Sequence, residues 1–136
     1  MAGQVVVKNF FELKPKPRSS YGNRFMQLSQ DGVAELSGRL ADHTLGMQAV
    51  RVLLAMIEEL DWQNRCEAPQ KELAFKLGMS AQDVSKASTA LVETGFIERM
   101  ANRRGWYRVS PKLCWKGDIK DQRAALGLSR KASAAA

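Results

Sequence analysis

The sequence predicts a mainly α fold with a small antiparallel β-hairpin, and three observations carry that reading. Apolar residues recur at helical spacing through the middle of the chain. A Gly78-Met79-Ser80 step divides two of the predicted helices, and a basic Ala101–Gly105 turn separates two short runs rich in aromatic and aliphatic residues. Between Pro69 and Pro111 the parts follow one another as helix, turn, helix, strand, turn, strand. That is the order of a winged helix-turn-helix, a shape that offers DNA both a short polar helix and a basic hairpin.

From the N-terminus, Val5, Val6 and Val7, with Phe10 and Phe11, read as extended chain, followed by a Pro-, Ser- and base-rich stretch from Lys14 to Asn23. Phe25 to Leu28 reads as a second strand. If the two strands pair, the loop between them presents Lys14, Lys16 and Arg18 as a phosphate-binding arm; otherwise it is a solvated connection. A helix is expected from Gly32 to Leu40, with Val33, Leu36 and Leu40 on one face, suited to packing or to dimer formation. The strongest helix runs from Leu45 to Leu60, with Thr44 as its cap and His43 near its start. Its stripe of Leu45, Val50, Leu53, Leu54, Ile57 and Leu60 is too broad for a solvated helix, which predicts burial.

Pro69 suits the first turn of the next helix, which Gly78 ends. Met79 fills the bend and Ser80 caps the second helix, with Asp83 three residues on. There Val84, Ala87 and Leu91 form the buried face, leaving Gln82, Ser85, Lys86 and Thr89 outward with the donors and acceptors that base edges require. Gly95 closes that helix. Phe96, Ile97 and Met100 begin a strand with Glu98 and Arg99 exposed, and Trp106 to Val109 return, so that Asn102, Arg103 and Arg104 sit at the hairpin tip. Adjacent arginines there suit phosphates or a narrow minor groove. Residues 1–24 are read as an N-terminal extended segment with a basic loop, 25–117 as a winged-helix DNA-binding domain, and 118–136 as a basic, partly disordered C-terminal tail.

Charge supports this reading through its distribution. The chain has 21 Lys and Arg against 14 Asp and Glu, a net charge of +7. The first 100 residues hold 12 of each sign and cancel, while the remainder holds nine basic and two acidic residues. The excess starts at the hairpin, as expected of a surface that displaces counterions from a polyanion. Lys71, Arg108, Lys112 and Lys116 are the candidate phosphate contacts outside the reading helix and wing.

At 136 residues the chain suits one domain. No apolar run approaches a bilayer span and the N-terminus lacks a signal-peptide pattern, so a cytoplasmic, DNA-associated bacterial protein is expected. Cys66 and Cys114 form no CxxC pair, which agrees with a reducing compartment. One histidine, His43, is too few for a metal cluster. No nucleophile-elbow or phosphate-loop pattern is present, so neither enzymatic activity, metal nor cofactor is expected. A strand-nicking role for Tyr21 or Tyr107 lacks the histidines it would need.

The stretches FMQLSQDGVAEL, RVLLAMIEELDWQN, KELAFKLGMSAQDVSKASTALVETGFIER and YRVSPKLCWKG resemble RepL-type plasmid replication proteins over roughly Phe25 to Gly117. The helix-turn-helix core alone is also similar to regulators of the MarR type. The plasmid resemblance implies binding to an origin or a nearby promoter. Gln82, Ser85, Lys86 and Thr89 match the family's reading-helix positions, Arg103 and Arg104 its wing, and Trp115, Lys116 and Gly117 its closing motif. Many such relatives carry an Asn-Arg or Arg-Ala pair where this chain has Ser85, Lys86 and Ala87. The expected function is therefore sequence-specific double-stranded DNA binding in plasmid replication or maintenance, by a homodimer working with host replication proteins and without a membrane. An autoregulatory repressor and a protein-protein adaptor of a replication or partition complex are the alternatives.

Overall fold

The computed structural model describes residues 24–127. In chain order these form β1 (Gln27–Leu28), α1 (Gln30–Ala41), α2 (Met47–Glu58), a 3-10 turn (Trp62–Asn64) and β2 (Arg65–Glu67). There follow α3 (Gln70–Leu77), α4 (Ala81–Glu93), β3 (Ile97–Arg99), β4 (Trp106–Val109), β5 (Cys114–Trp115) and α5 (Ile119–Ala125). The mainly α fold with a small antiparallel hairpin is what the sequence predicts. The valine run and the Lys14, Lys16, Arg18 loop lie outside the described residues, as does Ser129 to Ala136.

The centre of the molecule is α2, which buries Ala49, Val50, Val52, Leu53, Ala55 and Met56 and leaves a stripe of Met47, Arg51, Leu54 and Glu58 exposed. Helix α4 packs chiefly on α2 and also on α3 and β3. Its inner face is Val84, Ala87, Ser88 and Leu91, the expected apolar set plus a serine. Its cap is Ser80, whose Oγ accepts the Asp83 N–H at 3.0 Å, which satisfies one of the orphan donors of the first turn. Ahead of it, Gly78 ends α3 at φ +63°, a left-handed turn that costs a glycine little. The turn is closed by the Met79 N–H donating to Ala74 O at 3.0 Å.

Several expectations are corrected. Thr44 does not cap the strong helix: Gly46 holds that position, and Thr44 bonds through both its N–H and its hydroxyl to Asp42. His43 lies in the turn just after α1, at φ +63°. Leu54 is not in the buried stripe but 57% exposed, because α2 meets its neighbours through its other faces. The strand near Phe25 is the pair Gln27–Leu28, and it pairs with β5, Gln27 facing Trp115 and Leu28 facing Cys114. The hairpin has a third strand beside it, giving the antiparallel order β2-β4-β3 with Cys66 opposite Tyr107 and Ile97 opposite Val109. Within the stretch read as a basic tail, Ile119–Ala125 is helical.

One residue joins these pieces. Asn64 is fully buried in a left-handed conformation, φ +62°. Its Nδ2 donates to Val109 O at 2.9 Å and Cys114 O at 2.7 Å, and its Oδ1 accepts the Lys116 N–H at 2.8 Å. The side chain thus pairs both amide hydrogens and its oxygen while linking the turn after α2 to β4 and β5.

Candidate nucleic-acid interface

The residues expected to read bases emerge on one open side of α4. Gln82, Lys86 and Thr89 are exposed and Ser85 is half-buried, while the opposite face holds Val84, Ala87 and Leu91 in the core. Ser80 is exposed but spends its oxygen on the cap. Gln82, Ser85, Lys86 and Thr89 therefore share a surface because the 3, 4 spacing that buries one face presents the other.

At the hairpin tip the turn is closed by the Arg103 N–H to Met100 O at 3.4 Å and the Trp106 N–H to Arg103 O at 3.1 Å. Asn102 sits there at φ +62°, a conformation that asparagine tolerates better than most residues. Asn102, Arg103 and Arg104 are all exposed. The Arg103 guanidinium carbon lies 4.6 Å from the Trp106 ring centroid, a cation–π arrangement that holds the side chain along the hairpin.

Two hydrogen bonds fix the hairpin relative to the helices. Ala68 N–H donates to Gly105 O at 2.8 Å, tying the hairpin to the chain just before α3. Arg99 Nη2 donates to Thr89 Oγ1 at 3.4 Å, reaching from β3 to the outer face of α4. Between α3 and the hairpin lies a cleft of about 660 Å³, whose charged lining among the described residues is Lys71, Arg99, Arg103 and Arg104, with no acidic residue.

Of the four outlying phosphate candidates, the structure brings only Lys71 into this cleft. Arg108 lies opposite Glu98 in the ladder, its Nη1 4.0 Å from Glu98 Oε1, and its buried Nε has no hydrogen-bond partner among the described residues. Lys112 is exposed, and its carbonyl sits beneath α1 at Gly32. Lys116 Nζ donates to Leu60 O at 3.2 Å, just beyond the end of α2. Arg99 is the residue that sequence reasoning missed: strand alternation marked it as exposed but not as part of the basic surface.

The two thiols are buried and free. Burial, helped by the nearby Glu59 carboxylate, pushes Cys66 up to about 12, and burial pushes Cys114 up to about 11. Both are held as inert thiols near neutral pH. Among the described residues no group of three or more His, Cys, Asp or Glu could hold a metal ion, and no helix is long and apolar enough to cross a membrane.

The model of the family described as Firmicute plasmid replication protein (RepL) matches residues 41–135 of this chain. The match begins later and runs further than the stretch the sequence motifs marked, and it covers α2 through α5 with the whole cleft. No curated protein and no solved structure matches the chain.

Proposed function

This chain belongs to the RepL family of Firmicute plasmid replication proteins, and on that premise we propose that it is a sequence-specific binder of double-stranded DNA at a plasmid origin. In this reading α3 and α4 are the helix-turn-helix, α4 enters the major groove, and the β3-β4 hairpin is the wing that follows the backbone. The observation that carries it is the joining of two unlike surfaces. The polar face of Gln82, Ser85, Lys86 and Thr89 is linked through the Arg99 to Thr89 hydrogen bond to the acid-free edge of Arg103, Arg104 and Lys71. Hydrogen-bonding groups on a rigid helix suit base edges, and cations beside them suit phosphates.

The protein acts here without catalysis, in the bacterial cytoplasm, as a homodimer whose two reading helices address two half-sites. Helix α1 supplies a candidate dimer surface: Val33 is 39% exposed, and Leu36 and Leu40 are half-buried on the same side. Host replication proteins are the partners that a bound initiator would recruit.

Selection of bound fragments from a random DNA library at physiological salt, followed by a mobility shift, tests this reading. An enriched site with two half-sites supports it; no enrichment refutes sequence-specific reading. Arg103→Ala or Arg104→Ala should weaken binding to every sequence and reduce the salt slope by about 0.9 for each phosphate no longer neutralised. Gln82→Ala or Lys86→Ala should cost about 1–3 kcal/mol at particular base pairs. If all four variants behave alike, the division of labour between helix and wing is wrong.

A second reading, a docking adaptor in a replication or partition complex, draws on Phe75. This α3 residue is 92% exposed, which an isolated DNA reader does not require. Unchanged DNA affinity in the arginine variants, with loss of partner capture in Phe75→Ala, would favour it.

A further inference from the structure

The cleft between α3 and the hairpin has features that reading a duplex does not use. It is concave, and its volume of about 660 Å³ falls within the range of sites that enclose a small ligand. A duplex offers a protein its groove edges and a convex phosphate ridge, with base faces hidden in the stack. The cleft instead presents a planar stack: the half-buried Trp106 indole with the Arg103 guanidinium lying on it at 4.6 Å. Such a stack is of use to a base whose face is exposed, since unpaired bases stack on aromatic rings and on arginine planes.

Charge around the stack is one-sided. Lys71 enters from the first turn of α3, and Arg99 and Arg104 enter from the hairpin. Among the described residues none of these cations, nor Arg103, pairs with a carboxylate. Trp106 also borders a second hollow, lined by Glu59, Asp61 and Glu67, whose carboxylates repel phosphate. A polyanion is therefore drawn to the indole from the arginine side.

We propose that this cleft is a single-strand site, which takes an unpaired nucleotide of DNA with its base on the Arg103–Trp106 stack and its flanking phosphates on Lys71, Arg99 and Arg104. The inference rests on the DNA-binding reading above and extends it. With α4 still on a duplex, Lys71, Arg103 and Arg104 would exchange its backbone for a neighbouring strand released from pairing, so that one molecule favours the opened form of the DNA it recognises.

The test uses the full chain carrying Trp62→Phe, which removes an indole 46% exposed to solvent. Trp115 is buried, with its Nε1 donating to Asp118 O at 3.1 Å, so Trp106 becomes the responsive fluorophore. An end-labelled oligothymidine of about eight nucleotides, which has little structure of its own, and the labelled selected duplex are titrated in parallel at physiological salt. Fluorescence anisotropy reads affinity in every variant, and unlabelled oligothymidine is used for the tryptophan signal. Oligothymidine should quench Trp106. Trp106→Leu should weaken oligothymidine binding about 5- to 150-fold, the range of one base–aromatic stack, and by a larger factor than it weakens duplex binding. Trp106→Phe, which keeps a ring, should retain most of the affinity, a result that a variant disturbed in folding would not give. Equal losses on both ligands, or no oligothymidine binding by a protein that binds the duplex, would overturn the single-strand site and leave the duplex reading intact. Ring-dependent binding of oligothymidine by a protein that selects no duplex would overturn the duplex reading and leave the cleft standing.

Discussion

Helices α1 and α4 look alike in sequence and are held in opposite ways. They have 12 and 13 residues, and each is capped by a serine whose Oγ accepts the third N–H onward, Ser29 from Gly32 at 3.1 Å and Ser80 from Asp83 at 3.0 Å. Each carries an apolar stripe. Yet α4 buries Val84, Ala87, Ser88 and Leu91, while the only fully buried residue of α1 is Gly32. Capping and amphipathicity thus specify that a helix forms; how deeply it docks depends on what the rest of the chain places beneath it.

The sharpest way to break the comparison is a pair of leucine truncations. Leu91→Ala should cost about 2–5 kcal/mol in urea unfolding, because it opens a cavity in a fully buried site. Leu36→Ala on half-buried α1 should cost less than about 1 kcal/mol. Equal costs would mean that α1 belongs to the core.

Gly32→Ala comes next. An added methyl would sit 2.6 Å from Lys112 O and 2.7 Å from Leu113 Cα, both backbone atoms that cannot step aside. Helix propensity alone would make alanine stabilising, so the sign is diagnostic: a loss of about 1–3 kcal/mol is expected from the clash. Hydrogen exchange should quicken in α1 and stay slow in α4. Unchanged exchange in α1 would show that the close approach to Leu113 does not hold it.

The two caps sharpen the contrast further. Ser80→Ala should lower global stability by about 1 kcal/mol. Ser29→Ala removes the same kind of bond but should appear mainly as faster exchange of the first α1 amides, with the unfolding midpoint nearly constant. A global loss as large as that of Ser80→Ala would contradict the loose docking of α1.

The last effect, per thiol no larger than that of a cap, concerns the deep side alone. Burial pushes the Cys66 and Cys114 thiols up to about 12 and about 11, against 9.0 for an unhindered thiol. Above pH 9 the unfolded chain loses protons that the folded chain keeps, so stability falls as pH rises. The loss is on the order of 1 kcal/mol per thiol by pH 9.5, and it continues towards pH 11–12. Unfolding at pH 8 and 9.5 should show a steeper decline in the native chain than in the Cys66→Ala, Cys114→Ala double variant.

What the sequence revealed was local. Gly78, Ser80 and Gly95 punctuate α3, α4 and the hairpin through the φ, ψ and capping of single residues, so those elements appear where expected. What it hid was mostly long-range. Strand β2 is three residues long and owes its existence to Cys66 meeting Tyr107, far along the chain. Asn64 reads as a loop residue, and its burial follows from carbonyls of β4 and β5 that have no trace near it in sequence. In the candidate site the polar outer face of α4 and the basic hairpin tip were legible from spacing and charge. The membership of Arg99 and Lys71 in one cleft was not, since it depends on how the hairpin leans on α3.

The hairpin, finally, is tied to its surroundings beyond its pairing with β2: Gly105 in its turn to Ala68, and Arg99 at its side to Thr89. On the proposed reading these make the molecule a calliper. The gap between helix and wing is a constant of the fold, so the DNA must supply the matching distance between major-groove floor and backbone. Sites whose groove is too wide or too stiff are then rejected by their shape before any base is read, and selectivity extends to positions that no side chain touches.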